Sequence, residues 1–188
     1  MKNLKTIAIA LFVAAASISV NAQTKKIDVK ASTIKWVGKK VTGEHSGTVN
    51  FKDGAVVLKG KKLVGGTFTV DMNSLTATDL TGEYQGKLNG HLKADDFFGT
   101  EKHPTATLVF KKIVAKTASV YAITADLTIK GITKPVSFDL TVNANSATTA
   151  FKVDRTKYDI KYNSGNFFQN LGDKTINDDF ELAVALKF

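Results

Sequence analysis

Three histidines, His45, His91 and His103, are the side chains best suited to move a proton or bind a metal. No two of them stand at the spacing of a helical zinc pair, and the chain has no cysteine to complete a thiolate site or form a disulfide. Ser46, in Glu44-His45-Ser46-Gly47, lacks the Gly-x-Ser-x-Gly frame of a nucleophile elbow. The carboxylates of Asp95-Asp96 and Asp178-Asp179 are sequence neighbours, which point apart on a strand or a helix, so spacing alone makes no acid/base dyad. Gly65-Gly66 lacks the Lys-Ser/Thr context of a phosphate loop. The expectation is a protein without catalytic residues, metal or cofactor.

Arg155 stands out because it is the one arginine among 26 basic residues. Arginine makes planar, bidentate contacts that lysine cannot, so Arg155 suits either a ligand headgroup or a structural pair with an acidic neighbour such as Asp154. The twelve phenylalanines are the other resource. On the inner face of a small barrel they are core; in a barrel too long to fill, they line a tunnel for an apolar chain, with each buried methylene contributing about 0.8 kcal/mol.

The elements that must position these residues are strands. Apolar residues alternate with polar ones around Ile34 and Trp36, Val49 and Phe51, Val56 and Leu58, Phe68 to Met72, Ala106 to Phe110, Tyr121 to Ile129, Val136 to Val142, Phe151 and Val153, and Phe180 to Phe188. Asp53-Gly54 carries the signature of a two-residue hairpin turn, and Gly60 with its lysines that of another. One-sided alternation on eight or nine consecutive strands predicts an all-β fold, an antiparallel barrel or a sandwich. Strands of about 12 residues, tilted near 40°, give an interior about 30 Å deep. Two segments interrupt the pattern. Residues 73–99 are irregular and helical, with Tyr84, Leu88 and Leu92 at helical spacing, and residues 156–173 form a long connection rich in aromatics.

At the start, Lys2 and Lys5 precede an apolar run from Ile7 to Val20, and Val20-Asn21-Ala22 supplies small residues for cleavage. Residues 1–22 are therefore expected to be a secretory signal, leaving 23–188 as one domain, soluble and periplasmic or secreted. Its loss lowers the formal charge from +9 to +7. The lysines are scattered along the sequence without the clustered arginines and aromatics of a nucleic-acid site, which excludes nucleic acid as the expected partner. They suit a solvated face with, at most, a weak attraction to anionic membrane surfaces.

The runs Phe97-Phe98-Gly99-Thr100-Glu101-Lys102-His103-Pro104, Asp126 to Val136 (Asp-Leu-Thr-Ile-Lys-Gly-Ile-Thr-Lys-Pro-Val) and Asp154-Arg155-Thr156-Lys157-Tyr158 resemble the YceI-like family. Trp36, the stretch from Glu44 to Thr48 and the closing strand fit it as well. The resemblance implies a lipocalin-like, extended antiparallel barrel of about eight strands, periplasmic and often a homodimer, that binds long isoprenoid chains including quinone-type lipids. It places the family's His-Ser-Gly on His45-Ser46-Gly47 and its arginine on Arg155. Two positions depart from it: Asp159 where glycine is common, and Gly99 where aspartate often stands.

The resulting expectation is a binding or carrier protein for a long apolar lipid. Trp36, Phe51, Phe68, Phe110, Leu127 and Phe138 are the expected lining. Phe97, Phe98, Tyr158, Phe167 and Phe168 are expected to cover an opening, and His45 and Arg155 to sit near a headgroup. The competing readings are an envelope protein acting through a protein partner and an enzyme acting on a lipid.

Overall fold

The computed structural model describes residues 21–188. The proposed signal, apart from its last two residues, lies outside them. The described chain runs β1 (Ala22–Lys26), β2 (Thr33–Lys40), β3 (Gly43–Lys59), β4 (Lys62–Ala77), α1 (Gly82–Lys93), β5 (Thr105–Ala115), β6 (Val120–Ile129), β7 (Ile132–Val142), β8 (Ser146–Asp154) and β9 (Ile176–Lys187). Neighbouring strands are antiparallel, in the order β1-β3-β2-β9-β8-β7-β6-β5-β4, and β3 also pairs with β4. That pairing closes β2 to β9 into an eight-stranded barrel, with β1 as an extra strand along the lower half of β3. Closure leaves the eight barrel strands without free sheet edges at the join.

β3 passes straight through Asp53-Gly54, so the turn expected there does not form. The ladder to β4 shifts register between Phe51 and Asp53, a bulge in which Asp53 Oδ1 accepts the Gly54 N–H at 2.8 Å. Glycine is required there by crowding: a Cβ on Gly54 would stand 2.6 Å from Phe68 Cδ1. The second expected turn does form, at Gly60, whose φ of +63° is left-handed. β1 was not expected; its alternation is too short and too polar to show.

Residues 73–77, expected to be irregular, extend β4, with Leu75 and Ala77 buried. The ladder jumps from Thr48–Thr76 to Asn50–Asp71, and Ser74 Oγ fills the break by accepting the Asn50 N–H at 2.8 Å and donating to the Asp71 carbonyl at 2.6 Å. α1 contains Gly82, Gly86 and Gly90 and has little intrinsic helix preference. It is held from outside: Gln85 donates to the Ala77 carbonyl, while Asn89 accepts from the Ala77 N–H and donates to Thr76 Oγ1. Leu88 and Leu92 turn inward, but Tyr84, grouped with them by spacing, is 74% exposed.

The ladder is thinnest between β7 and β8, which pair only at Thr141–Thr148 and Val142–Ala147. Beyond these pairs the strands are bridged by side chains. Thr149 Oγ1 donates to the Asp139 carbonyl at 2.7 Å, and the rings of Phe138 and Phe151 stack 4.6 Å apart.

Trp36 lies across Gly47, where a Cβ would stand 1.9 Å from the Thr76 carbonyl and 2.6 Å from Trp36 Cζ2. Gly47→Ala is therefore expected to destabilise the fold by about 3 kcal/mol, an overpacking cost, in urea unfolding. A loss below about 1 kcal/mol would show that the β2–β3–β4 contact yields easily.

Candidate functional site

The barrel is filled at one end and hollow at the other. At the filled end Val56, Leu63, Tyr121 and Ile123 are each at most 4% exposed and do not reach the hollow. Above them lies a belt of five phenylalanines contributed by β3, β4, β5, β7 and β8: Phe51–Phe68 at 6.1 Å, Phe68–Phe110 at 5.6 Å, Phe110–Phe138 at 6.2 Å, and the stacked Phe138–Phe151 pair. Tilted rings at these separations are favourable aromatic geometry. A cavity of about 230 Å³ extends from just below the belt, where Leu140 and Leu186 line it, to the opposite end. Its wall is almost wholly apolar, and its charged side chains gather at the mouth.

Ten of the thirteen residues singled out in the sequence line this cavity: Trp36, His45, Phe51, Phe68, Phe97, Phe98, Phe110, Leu127, Phe138 and Arg155. Tyr158, Phe167 and Phe168 do not. Tyr158 is buried in a small core beneath the 156–173 connection, where burial, with Asp154 adding, pushes its phenol up to about 12. Phe167 and Phe168 are half exposed on the outside of that connection. Ser164, fully buried, organises the loop: its carbonyl accepts the N–H groups of both phenylalanines. The connection is tied to β9 by its backbone, so aromatic content alone could not tell an inward loop from an outward one.

α1 and the turn after it wall one side of the mouth with Leu88, His91, Leu92, Phe97 and Phe98. Gly99, at φ +54°, lets the chain reverse so that Phe98 packs edge-on against Phe180 of β9 at 6.1 Å. Asp159, the other departure from the family pattern, has φ +60°, which explains why glycine is common there. His91 lines the mouth and meets Phe97 and Tyr162 edge-on, with Asp96 3.4 Å away. Its position three residues after Leu88 was the available signal for it.

Arg155 is 3% exposed and acts as a clamp. Its guanidinium donates to three carbonyls, Asn177 at 3.0 Å, Ile160 at 2.8 Å and Ile176 at 3.0 Å, and lies 3.6 Å from Asp178. Burial lowers its pKa, and the charges of Asp178 and Asp154 oppose the change. The planar fork fixes the start of β9 to the end of β8, which a lysine could not do. Both roles weighed for Arg155 thus meet in one side chain, which bonds structurally and also borders the cavity.

His45 Nδ1 lies 2.8 Å from Asp79 Oδ2, and Asp79 Oδ1 accepts the Ser46 N–H at 3.1 Å. Partial burial pushes the Asp79 carboxyl up, but these hydrogen bonds outweigh it and hold the group below the ordinary 3.8. Among the described residues no three His, Asp or Glu side chains gather as a metal site, and no helix is long and apolar enough to cross a membrane.

A closed antiparallel barrel with an apolar lumen, a floor and a polar mouth defines a ligand-binding barrel. The chain belongs to the YceI-like family, whose model matches residues 25–188. Sequence relatives include a UPF0312 protein of Shewanella denitrificans, 32% identical over 91 residues, which are 48% of this chain and 46% of that one. A UPF0312 protein of Staphylococcus aureus is 35% identical over 86 residues, 40% of this chain and 47% of the relative. The matched stretches thus span less than half the length of these relatives. BcnA of Burkholderia cenocepacia shares the fold with a TM-score of 0.63 at 20% identity, covering 85% of this chain and 98% of that one. A polyisoprenoid binding domain from Saccharophagus degradans, implicated in plant cell wall breakdown, shares it with a TM-score of 0.57 at 17% identity over 86% and 95%.

Two outcomes follow from the mouth. Arg155→Lys is expected to lose about 3 kcal/mol of stability, since at least two charge-assisted hydrogen bonds go unmade, and to speed amide exchange at the start of β9. A depressed carboxyl contributes stability that is fully present above its ordinary value of 3.8 and is lost as pH falls through its lower folded value. Asp79→Asn should therefore remove part of the acid-side decline of stability below about pH 4, read by urea titrations at stepped pH. An unchanged pH profile would show that the His45–Asp79 contact adds nothing.

Proposed function

We propose that this protein is an exported, non-enzymatic carrier of a long apolar lipid, with a polyisoprenoid or quinone-type tail in the lumen and its head at the mouth. The observation that carries this reading is the distribution of polarity: an apolar cavity ringed by phenylalanines, with Lys39, Lys40, His45, His91, Arg155 and Asp179 at its mouth. A flexible chain gains by transfer from water along its whole length, while the mouth groups can hydrogen-bond a single polar head. The polyisoprenoid binding domain that shares the fold supports the choice of cargo. Arg155 is engaged by three carbonyls, which suits a fixed rim. Export rests on the leader-like residues 1–22, and pairing into homodimers on the family alone.

Native mass spectrometry on protein purified from its own envelope is expected to show a discrete added mass, resolved on denaturation to a lipid with an isoprenoid tail. A clean unliganded mass would favour an envelope protein acting through a protein partner. Leu108, partly buried on the cavity wall, gives a second check. Leu108→Trp should fill the lumen and weaken binding of a fluorescent apolar probe at least about tenfold, with the circular dichroism spectrum unchanged. Unaltered binding would place the ligand elsewhere.

A further inference from the structure

The lysines divide almost evenly between the two ends of the barrel, whereas the carboxylates do not. Strands β2 to β9 alternate in direction, so cutting each at mid-height assigns residues 22–36, 50–70, 110–125, 136–151 and 182–188 to the filled half and the rest of that range to the mouth half. The filled half carries twelve lysines against three carboxylates, Asp28, Asp53 and Asp139, a formal charge of +9. The mouth half carries twelve basic residues against fourteen carboxylates, a formal charge of −2.

Ion pairing follows the same division. In the mouth half Lys39, Lys87, Lys102, Lys161 and Arg155 each face a carboxylate, as do Lys152 and Lys157. In the filled half only Lys111 and Lys116 do so among the described residues. At its tip the β3–β4 turn presents Lys59, Lys61 and Lys62, and β1 runs beside it, with Ala22 opposite Lys59 and Lys26 opposite Ala55. Val64, beside Lys62 on β4, and Val114, between Lys112 and Lys116, are both nearly half exposed in this half. Like charges without carboxylate partners at one end repel each other, and apart from Lys25, which donates to the Ala144 carbonyl, they make no side-chain hydrogen bond among the described residues.

The chemistry of that end selects among polyanions. Every cation on it is a lysine, a hydrated point charge without the bidentate fork that reads phosphates singly. The exposed aromatics, Tyr84, Tyr162, Phe167 and Phe168, are all in the other half, and the partly buried ring of Phe188 at the filled end is overlaid by Lys25 at 5.6 Å, which leaves little ring surface for a base to stack on. A diffuse field of lysines interleaved with aliphatic side chains suits an anionic bilayer surface, where each lysine near the headgroups adds to binding. We propose that the filled end of the barrel is a docking face for anionic membrane, which holds the molecule end-on with its cavity mouth directed away from the bilayer. This is independent of what the cavity carries.

The test is co-sedimentation of the mature chain with vesicles of phosphatidylcholine alone and of phosphatidylcholine with one quarter phosphatidylglycerol. Binding is expected only to the anionic vesicles at about 50 mM salt, and is expected to fall steeply as salt rises and the screening length shortens. The combined variant Lys59→Glu, Lys61→Glu, Lys62→Glu should lose at least about tenfold in affinity. Lys134→Glu, Lys157→Glu, Lys174→Glu, with the same change in net charge in the mouth half, should stay within about twofold. Circular dichroism and urea midpoints would confirm that both variants fold. Equal losses in the two variants would reduce the effect to net charge and overturn the proposal, as would failure of the wild type to bind anionic vesicles. Duplex DNA bound more tightly than vesicles through the same three lysines would assign the face to a nucleic acid instead.

Discussion

The closure of the sheet between β3 and β4 is the constraint on which the rest depends, because it turns a row of strands into a container. These are the two longest strands, and they stay paired only by shifting register three times. Three glycines in them are pressed against aromatic rings. A Cβ on Gly47 would strike Trp36, one on Gly54 would strike Phe68, and one on Gly66 would strike Phe110 at 2.5 Å. The rings cover the bare backbone, which restores the packing that glycine forfeits in a strand. The same arrangement sets the phenylalanine belt at its height, so closure and the cavity floor are one structural event.

Below the belt, small and branched side chains fill the lumen and supply a conventional core without any disulfide. Above it the wall is equally apolar but the opposite sides no longer meet. A hollow barrel gives up contacts across its lumen, and the filled end together with the satellite core around Tyr158, Ile160 and Ser164 offsets that loss. The mouth is stiffened by polar clamps rather than by packing. Arg155 holds β9, Asn89 and Gln85 hold α1, and Asp79 holds the β3 end through His45 and Ser46. Side-chain bonds to backbone carbonyls and N–H groups can fix a rim while leaving the space inside it empty.

Much of this was legible in the alternation of apolar residues, because period two on a half-buried strand is a direct consequence of pleat geometry. Trp36, Phe51, Phe68, Phe110, Leu127 and Phe138 all face the lumen for that reason. The misses have a common cause: each depended on a contact between residues far apart in sequence. Asp53-Gly54 has turn chemistry, but its glycine answers to Phe68 across the ladder. Tyr84 shares the spacing of Leu88 and Leu92, yet α1 is oriented by the bonds of its Gln85 and Asn89 to Thr76 and Ala77 of β4, which leaves Tyr84 in solvent. Phe167 and Phe168 were indistinguishable from a lid until the backbone of Ser164 was seen to hold them outside.

The lysines give the same lesson in electrostatic form. A strand that alternates inside and outside distributes its charges evenly along the chain, and a barrel of alternating strand direction folds that even distribution into two ends. Lys25, Lys59, Lys112 and Lys187 are far apart in sequence and share one end, whereas fourteen of the seventeen carboxylates fall in the other half, on α1, the loops beside it and the mouth ends of the strands. Those carboxylates pair with lysines and the arginine around the mouth, so the opening presents a nearly neutral rim, and the uncompensated charge is left at the opposite end. A neutral rim imposes little electrostatic cost on an uncharged tail passing through it. Separation of the two ends therefore lets one molecule combine an apolar interior with a strongly cationic end, without placing that charge at the cavity mouth.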